Sequence, residues 1–250
     1  MLFRSDEFGK DGIAGFTAAK TPPANTTLYP TSSVTADVAK TYLTAISATP
    51  IKLVILFGTT DVTATVLKAA EDLNLIGKLT FMAGSVGGDA NTLLALGVKP
   101  TTIDGLVAAS FFPDAKDTTD EYVAQFSAIN AKYNPGVTFD NVVLQGMNSA
   151  MLTVQALRAA GKNLTRAGLI SAIESKGATF ASAGLVPLNF SSSSRVGYNG
   201  YWFGKLNAKG ELKPATGTTP VVYTTDSGAG DIVKSDYKRL PIPAKGIPNN

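Results

Sequence analysis

Apolar and polar positions follow two regimes along the chain. Up to about residue 112, short apolar runs of strand length alternate with stretches whose apolar residues recur at helical spacing, the order expected of an α/β domain with a parallel sheet and flanking helices. Ile13 and Phe16 mark a helix after Gly9, residues 26–29 read as a short strand, and Val38, Tyr42 and Ile46 share one face of a helix opening at Ala36. The run IKLVILF at 51–57 predicts a central parallel strand covered on both faces. Val62, Val66, Leu67, Ala70 and Leu73 give the next helix, and strands follow at 79–83 and 105–112. Beyond Pro113 the pattern turns helical. Tyr122, Phe126, Ile129 and Tyr133 form one stripe, and Val143, Met147, Ala150, Val154 and Leu157 a second. Short strands are predicted at 185–190 and 198–206. From Gly210 the sequence is rich in Pro, Gly, Thr and Ser and reads as an irregular tail.

The most informative stretch is ALRAAGKNLTRAGLISAIE at 156–174. It predicts a helix ending at Gly161, which takes the left-handed conformation at low cost, and a second helix opening at Thr165, whose hydroxyl meets unpaired backbone N–H groups.

Composition removes whole classes of chemistry. The 250 residues contain no Cys and no His, which excludes thiol nucleophiles, histidine bases and most zinc sites. Only 16% of residues are charged and the net charge is +3, without a dense basic patch, so no nucleic-acid partner is indicated. No apolar run reaches membrane-spanning length, and MLFRSDEF carries no apolar leader. The AGSVGGD loop lacks the Lys of a phosphate-binding P-loop, and no dinucleotide fingerprint follows a strand, so no cofactor is expected. Asp6, Glu7 and Asp11 lie along a helix-opening turn and read as a solvated face rather than a metal site.

The hairpin's wording, AL…AGK-x-LTR-x-x-LI-x-A, resembles the substrate-binding proteins of branched-chain amino acid type ABC transporters, which have the type I periplasmic binding fold. DEFGKDG, IKLVILFGTTD, FMAGSVGGDA and GLVAASFFPDA fall in that family's order. The resemblance implies residues 1–112 as the second lobe with its first strand cut short, 113–197 as a helical segment of the first lobe, and 198–250 as a return crossing and tail. It implies that most of the first lobe is missing ahead of Met1, a truncated chain whose signal peptide is also lost. With that lobe's sheet absent, Tyr122, Phe126, Met147, Met151, Val154 and Leu157 are expected to expose apolar surface.

The resemblance further implies a non-enzymatic, periplasmic or extracellular protein that captures a small-molecule ligand between its lobes and delivers it to permease subunits of an importer. A sensor of the same fold, a regulator or a receptor ectodomain, is the alternative. Ligands of open α/β sheets sit at the C-terminal ends of strands. There the resemblance places Phe8 as an aromatic against the ligand, with Thr59, Thr60 and Ser85 supplying hydroxyls. Turn and capping chemistry accounts equally for Thr59 and Thr60, and a core role for Phe8. Amino-acid-binding members hold the ligand's ammonium with an acidic side chain, where this chain has Ser85 or Gly84. A carboxylate, an amide or an aromatic acid is therefore as consistent with the sequence as leucine. Asp61 and Asp89 read as helix-opening residues. The aromatic cluster of Tyr198, Tyr201, Trp202 and Phe203 reads as core and hinge packing near the return crossing, with ligand stacking as the alternative.

Overall fold

A computed structural model describes residues 1–30, 33–225 and 231–244. The chain forms two compact units, Met1–Ser110 with Phe203–Pro220, and Phe111–Trp202 with Val221–Asn250.

The first unit is built on five parallel strands, β1 (Leu2–Arg4), β2 (Thr27–Tyr29), β3 (Leu53–Phe57), β4 (Thr80–Ala83) and β5 (Val107–Ser110), in the order β2-β1-β3-β4-β5. Register is set by pairs such as Phe3 with Phe57 and Val54 with Phe81. The connecting helices are α1 (Glu7–Ala18), α2 (Ala36–Ser47), α3 (Thr60–Asp72) and the short α4 (Ala90–Ala95) and α5 (Pro100–Ile103). At six and four residues, the last two are too short to give a periodic signal. Both begin with local chemistry: Asp89 accepts from the Thr92 N–H at 2.8 Å, and Pro100 opens α5, where its missing N–H costs nothing.

Helices α2 and α3 pack together over one face of this sheet. There Leu2, Val54, Leu56, Phe81 and Ala83 meet Leu43, Ile46, Val66 and Leu67 in a continuous buried core. The other face departs from the expectation that β3 is covered on both sides. Val54 and Leu56 are buried, Ile55 and Phe57 half-buried, and Leu53 is exposed. The topology explains this. Only the β1–β2 connection runs back along the sheet, so right-handed crossovers place α1 alone on that face.

Strand β6 (Gly200–Leu206) begins in the second unit and ends in the first, where Leu206 exchanges backbone hydrogen bonds with Gly105 and Leu106. Its end pairs antiparallel with β7 (Leu212–Pro214), and its start pairs in the second unit with β8 (Val222–Thr224), which pairs with β9 (Val233–Lys234). These three strands arise in the stretch read as an irregular tail. At two or three residues each, they are too short to show alternation.

In the second unit, α6 (Glu121–Tyr133), α7 (Asn141–Ala160) and α8 (Arg166–Lys176) form where the pattern places them. Helix α7 ends at Gly161 with φ +83°, and the Thr165 hydroxyl accepts from the Gly168 N–H at 3.0 Å. The buried face of α7 is not the predicted one. Leu144, Asn148, Met151 and Ala156 face inward, Met147 and Val154 are half-buried, and Ala150 and Leu157 are exposed.

The helices are not left without a core, contrary to the expectation of exposed apolar stripes. Tyr122, Phe126 and Met151 are buried with Phe112, Ala115, Val123 and Ala183. The cover comes from the chain's own loops. Asn148 accepts from the Ala183 N–H at 2.7 Å, and the Gln155 side chain both donates to and accepts from the Ala181 backbone at 2.8 Å. A strap near Arg239 closes over α6. Arg239 pairs with Asp120 at 2.6 Å, lies 4.5 Å from the Tyr122 ring centroid and donates to the Ala183 carbonyl, while the Tyr122 hydroxyl donates to the Leu240 carbonyl. Trp202 is buried, its indole N–H donating to the Phe112 carbonyl at 2.9 Å, a packing role as read from the sequence.

Candidate functional site

In the first unit three loops stand at the C-terminal ends of β1, β3 and β4, and they carry all four residues singled out from the sequence. The first loop is set by glycine. A Cβ on Gly9 would lie 1.7 Å from the Arg4 carbonyl oxygen, so only glycine lets the first turn of α1 close on the end of β1. Asp6 caps that turn by accepting from the Gly9 N–H at 3.3 Å, and it pairs with Arg4 at 2.8 Å. The Arg4 guanidinium beside it, aided by the Gly9 N–H, holds the Asp6 carboxyl below its usual range, and Asp6 in turn raises Arg4.

Phe8 is half-buried, so it is neither a core residue nor a free one. Its ring stacks on Phe57 with centroids 4.8 Å apart, and the Arg4 guanidinium lies over the Phe8 ring at 4.7 Å from the centroid. Phe57 leads directly into the second loop. Thr59 occupies the N-cap of α3 yet makes no side-chain cap bond, so capping does not account for its hydroxyl. The Thr60 hydroxyl donates to the Val86 carbonyl at 2.7 Å and ties this loop to the third.

The third loop turns tightly at Gly84–Gly88, closed by a Gly88 N–H to Gly84 carbonyl bond at 3.0 Å. Gly87 has no room for a side chain, because a Cβ there would meet the Gly58 carbonyl at 2.9 Å. Ser85 sits half-buried in the turn, its hydroxyl without a partner among the described residues. Asp89 is the N-cap of α4 and Asp61 lies in the first turn of α3, so both carboxylates serve helix starts. Behind the second loop, Tyr29 is buried beside Gly58, and burial pushes its hydroxyl's pKa up.

The loops therefore form one contiguous chain of contacts, from Arg4 and Phe8 through Phe57 and Thr59 to Thr60 and the Ser85 turn. Hydroxyls, turn N–H groups and one aromatic ring can hold a carboxylate or an amide. Arg4 and Phe57 were not singled out from the sequence. Arg4 carried a signal, a lone base at the end of an apolar strand, one residue short of DEFG. Phe57 was hidden inside an apolar run. Among the described residues no three His, Cys, Asp or Glu gather as a metal site, and no helix is long and apolar enough to cross a membrane.

The comparisons with known proteins agree in fold. The profile described as periplasmic binding protein matches residues 4–211. A substrate-binding periplasmic protein from Ralstonia solanacearum superposes with a TM-score of 0.69 at 20% identity, covering 84% of this chain and 59% of that one. A branched-chain amino acid ABC transporter protein from Thermus thermophilus with bound valine gives 0.70 at 19%, covering 91% and 60%. A fatty acid ABC transporter substrate-binding protein from Thermomonospora curvata gives 0.67 at 19%, covering 98% and 59%. The chain thus spans about three-fifths of the length of these solved relatives. No curated protein matches it. With a profile match over most of its length and the type I periplasmic fold, the chain belongs to the periplasmic binding protein family.

Proposed function

We propose that this chain is part of an extracytoplasmic solute-binding subunit of an ABC importer, capturing a small organic ligand and handing it to permease subunits without chemical change. The family match carries the reading, since that family consists of substrate-binding proteins. Phe8, Thr59, Thr60 and Ser85 form one wall of the ligand site, and Arg4 stands beside Phe8. Support for the ligand class comes from what lines the loops. Asp6 is engaged by Arg4 and Asp89 by the Thr92 N–H, so neither is left to meet an ammonium group. Hydroxyls and turn N–H groups suit a carboxylate or amide.

Isothermal titration of the chain against branched-chain amino acids, their amides, aliphatic acids and aromatic acids tests this. Saturable binding of at least one class, weakened by Ser85→Glu through like-charge repulsion when the ligand is a carboxylate, is the expected result. Binding indifferent to Ser85→Glu and to Thr59→Ala would place the site elsewhere, and no binding across the panel would remove the reading for this chain.

A further inference from the structure

Away from those loops, the first unit holds a groove of about 450 Å³ between helix α2 and the edge strand β2. That volume is within the range of small-molecule sites. Its floor is Val38, Tyr42 and Ile46 from one stripe of α2, and its far wall is Asn25 and Thr27 at the start of β2. Strand β2 is the sheet's edge, and at three residues, with Pro30 directly after it, the edge is poorly suited to receive another strand. The groove fits a compact molecule better than an extended peptide.

Two observations make it more than an apolar depression. Tyr42 is 6% exposed, and its hydroxyl is buried with no hydrogen-bond partner among the described residues. Left unpaired, that hydroxyl costs stability. Burial also pushes that hydroxyl's pKa up to about 12, so it stays neutral at any ordinary pH. The second observation is charge. Among the described residues Asp37 is the one carboxylate lining the groove, it is exposed, and no ion pair engages it, whereas nearby Lys40 is paired with Asp72 at 2.7 Å.

From these we infer that the groove is a second binding site, for a small organic monocation whose ammonium meets Asp37 and whose apolar body lies over Val38, Tyr42 and Ile46. The inference is independent of the importer reading, since no residue is shared with the loops at the strand C-termini. An exposed carboxylate adds little to affinity but discriminates by sign. Between molecules of equal shape, a cation should bind about fivefold tighter than its neutral counterpart, the factor that roughly 1 kcal/mol of screened attraction gives.

The test is amide chemical-shift mapping on the ¹⁵N-labelled chain, titrated with 2-phenylethylammonium, 2-phenylethanol and phenylacetate as separate probes. Saturable shifts concentrated at residues 25–28 and 37–49, ordered ammonium, then alcohol, then carboxylate, are expected. Asp37→Asn should remove the ammonium's advantage and leave the alcohol unchanged. Ala45→Trp, at an exposed position lining the groove, should abolish binding of all three without loss of thermal stability. Shifts centred elsewhere, no saturable shift with the ammonium, or an ammonium preference that survives Asp37→Asn would each overturn the inference.

Discussion

The two units make their cores by different means. In the first, Leu2, Val54, Leu56, Phe81 and Ala83 come from neighbouring parallel strands, whose backbone polar groups are already paired by the ladder. Those side chains need only apolar cover, and α2 and α3 supply it. In the second, α6 and α7 are roofed by loops that have no ladder of their own. Their backbone groups are met by side chains instead: Asn148 for Ala183, Gln155 for Ala181, Arg239 for the Ala183 carbonyl. A core built on strands is specified by apolar residues alone. One built from loops on helices needs polar side chains on the buried face, because an unpaired buried N–H or C=O is costly.

The hardest way to break this comparison is to open the second core. Phe126 is 1% exposed among Tyr122, Leu144 and Met151. Phe126→Ala should cost about 3–5 kcal/mol in urea unfolding, the usual range for a large aromatic removed from a core. Hydrogen exchange should rise across α6 and α7 far more than across β3 and β4. Equal loss in both units would mean that they do not unfold as separate cores. Next in size is Asn148→Ala, which leaves the Ala183 N–H, the Ser182 hydroxyl and the Tyr198 hydroxyl short of a partner. A loss of about 2–3 kcal/mol is expected. Asn148→Leu should be no better, although it adds apolar volume to a buried position. A stabilising Asn148→Leu would show that the polar network is dispensable.

That network also marks where reading the sequence stops working. The strands of the first unit, the cap at Thr165 and the turn at Gly161 follow from local pattern, because each answers to neighbours within a few residues. The inward face of α7 does not. Apolar periodicity favours Val143, Met147, Val154 and Leu157, but the helix turns Asn148 and Gln155 inward because loop residues more than 25 positions away require them. The same limit applies at the candidate site. Phe8, Thr59, Thr60 and Ser85 lie at strand ends that a parallel topology brings together, whereas the stacking of Phe8 on Phe57 under Arg4 depends on the approach that Gly9 permits. The tail was opaque for a related reason. Arg239 gains its meaning from partners far along the chain, Asp120 across 119 positions and Ala183 across 56.

Alkaline pH should sharpen the contrast by a smaller amount. In the first unit burial raises the pKa of Tyr29 and takes Tyr42 to about 12; in the second it raises Tyr122, Tyr198 and Tyr237. A tyrosine whose folded pKa is raised contributes fully below the unfolded value, near 10, and that contribution is lost as pH climbs toward the folded value. Stability should therefore fall from about pH 10 upward, with a larger rise in exchange in the second unit, which holds more such residues. Tyr122→Phe should flatten the second unit's decline, and Tyr42→Phe the first unit's up to about pH 12. A decline identical in wild type and both variants would assign it to other groups.

The finest comparison sets two threonines at equivalent places against each other. Thr165 is the N-cap of α8 in the second unit and accepts from the Gly168 N–H at 3.0 Å. Thr59 is the N-cap of α3 in the first unit and makes no such bond. Removing a working cap costs about 1 kcal/mol, so Thr165→Ala should lower stability by that amount. Thr59→Ala should change it by less than about 0.5 kcal/mol, the range for substitutions that break no contact. If the Thr59 hydroxyl is held for a ligand, the same Thr59→Ala should weaken binding of whichever carboxylate or amide titrates the chain, while Thr165→Ala leaves binding unchanged. Thermal denaturation and titration calorimetry on the two variants give a two-by-two outcome. A Thr59→Ala that costs as much stability as Thr165→Ala, with affinity intact, would return Thr59 to capping and take one hydroxyl out of the proposed wall.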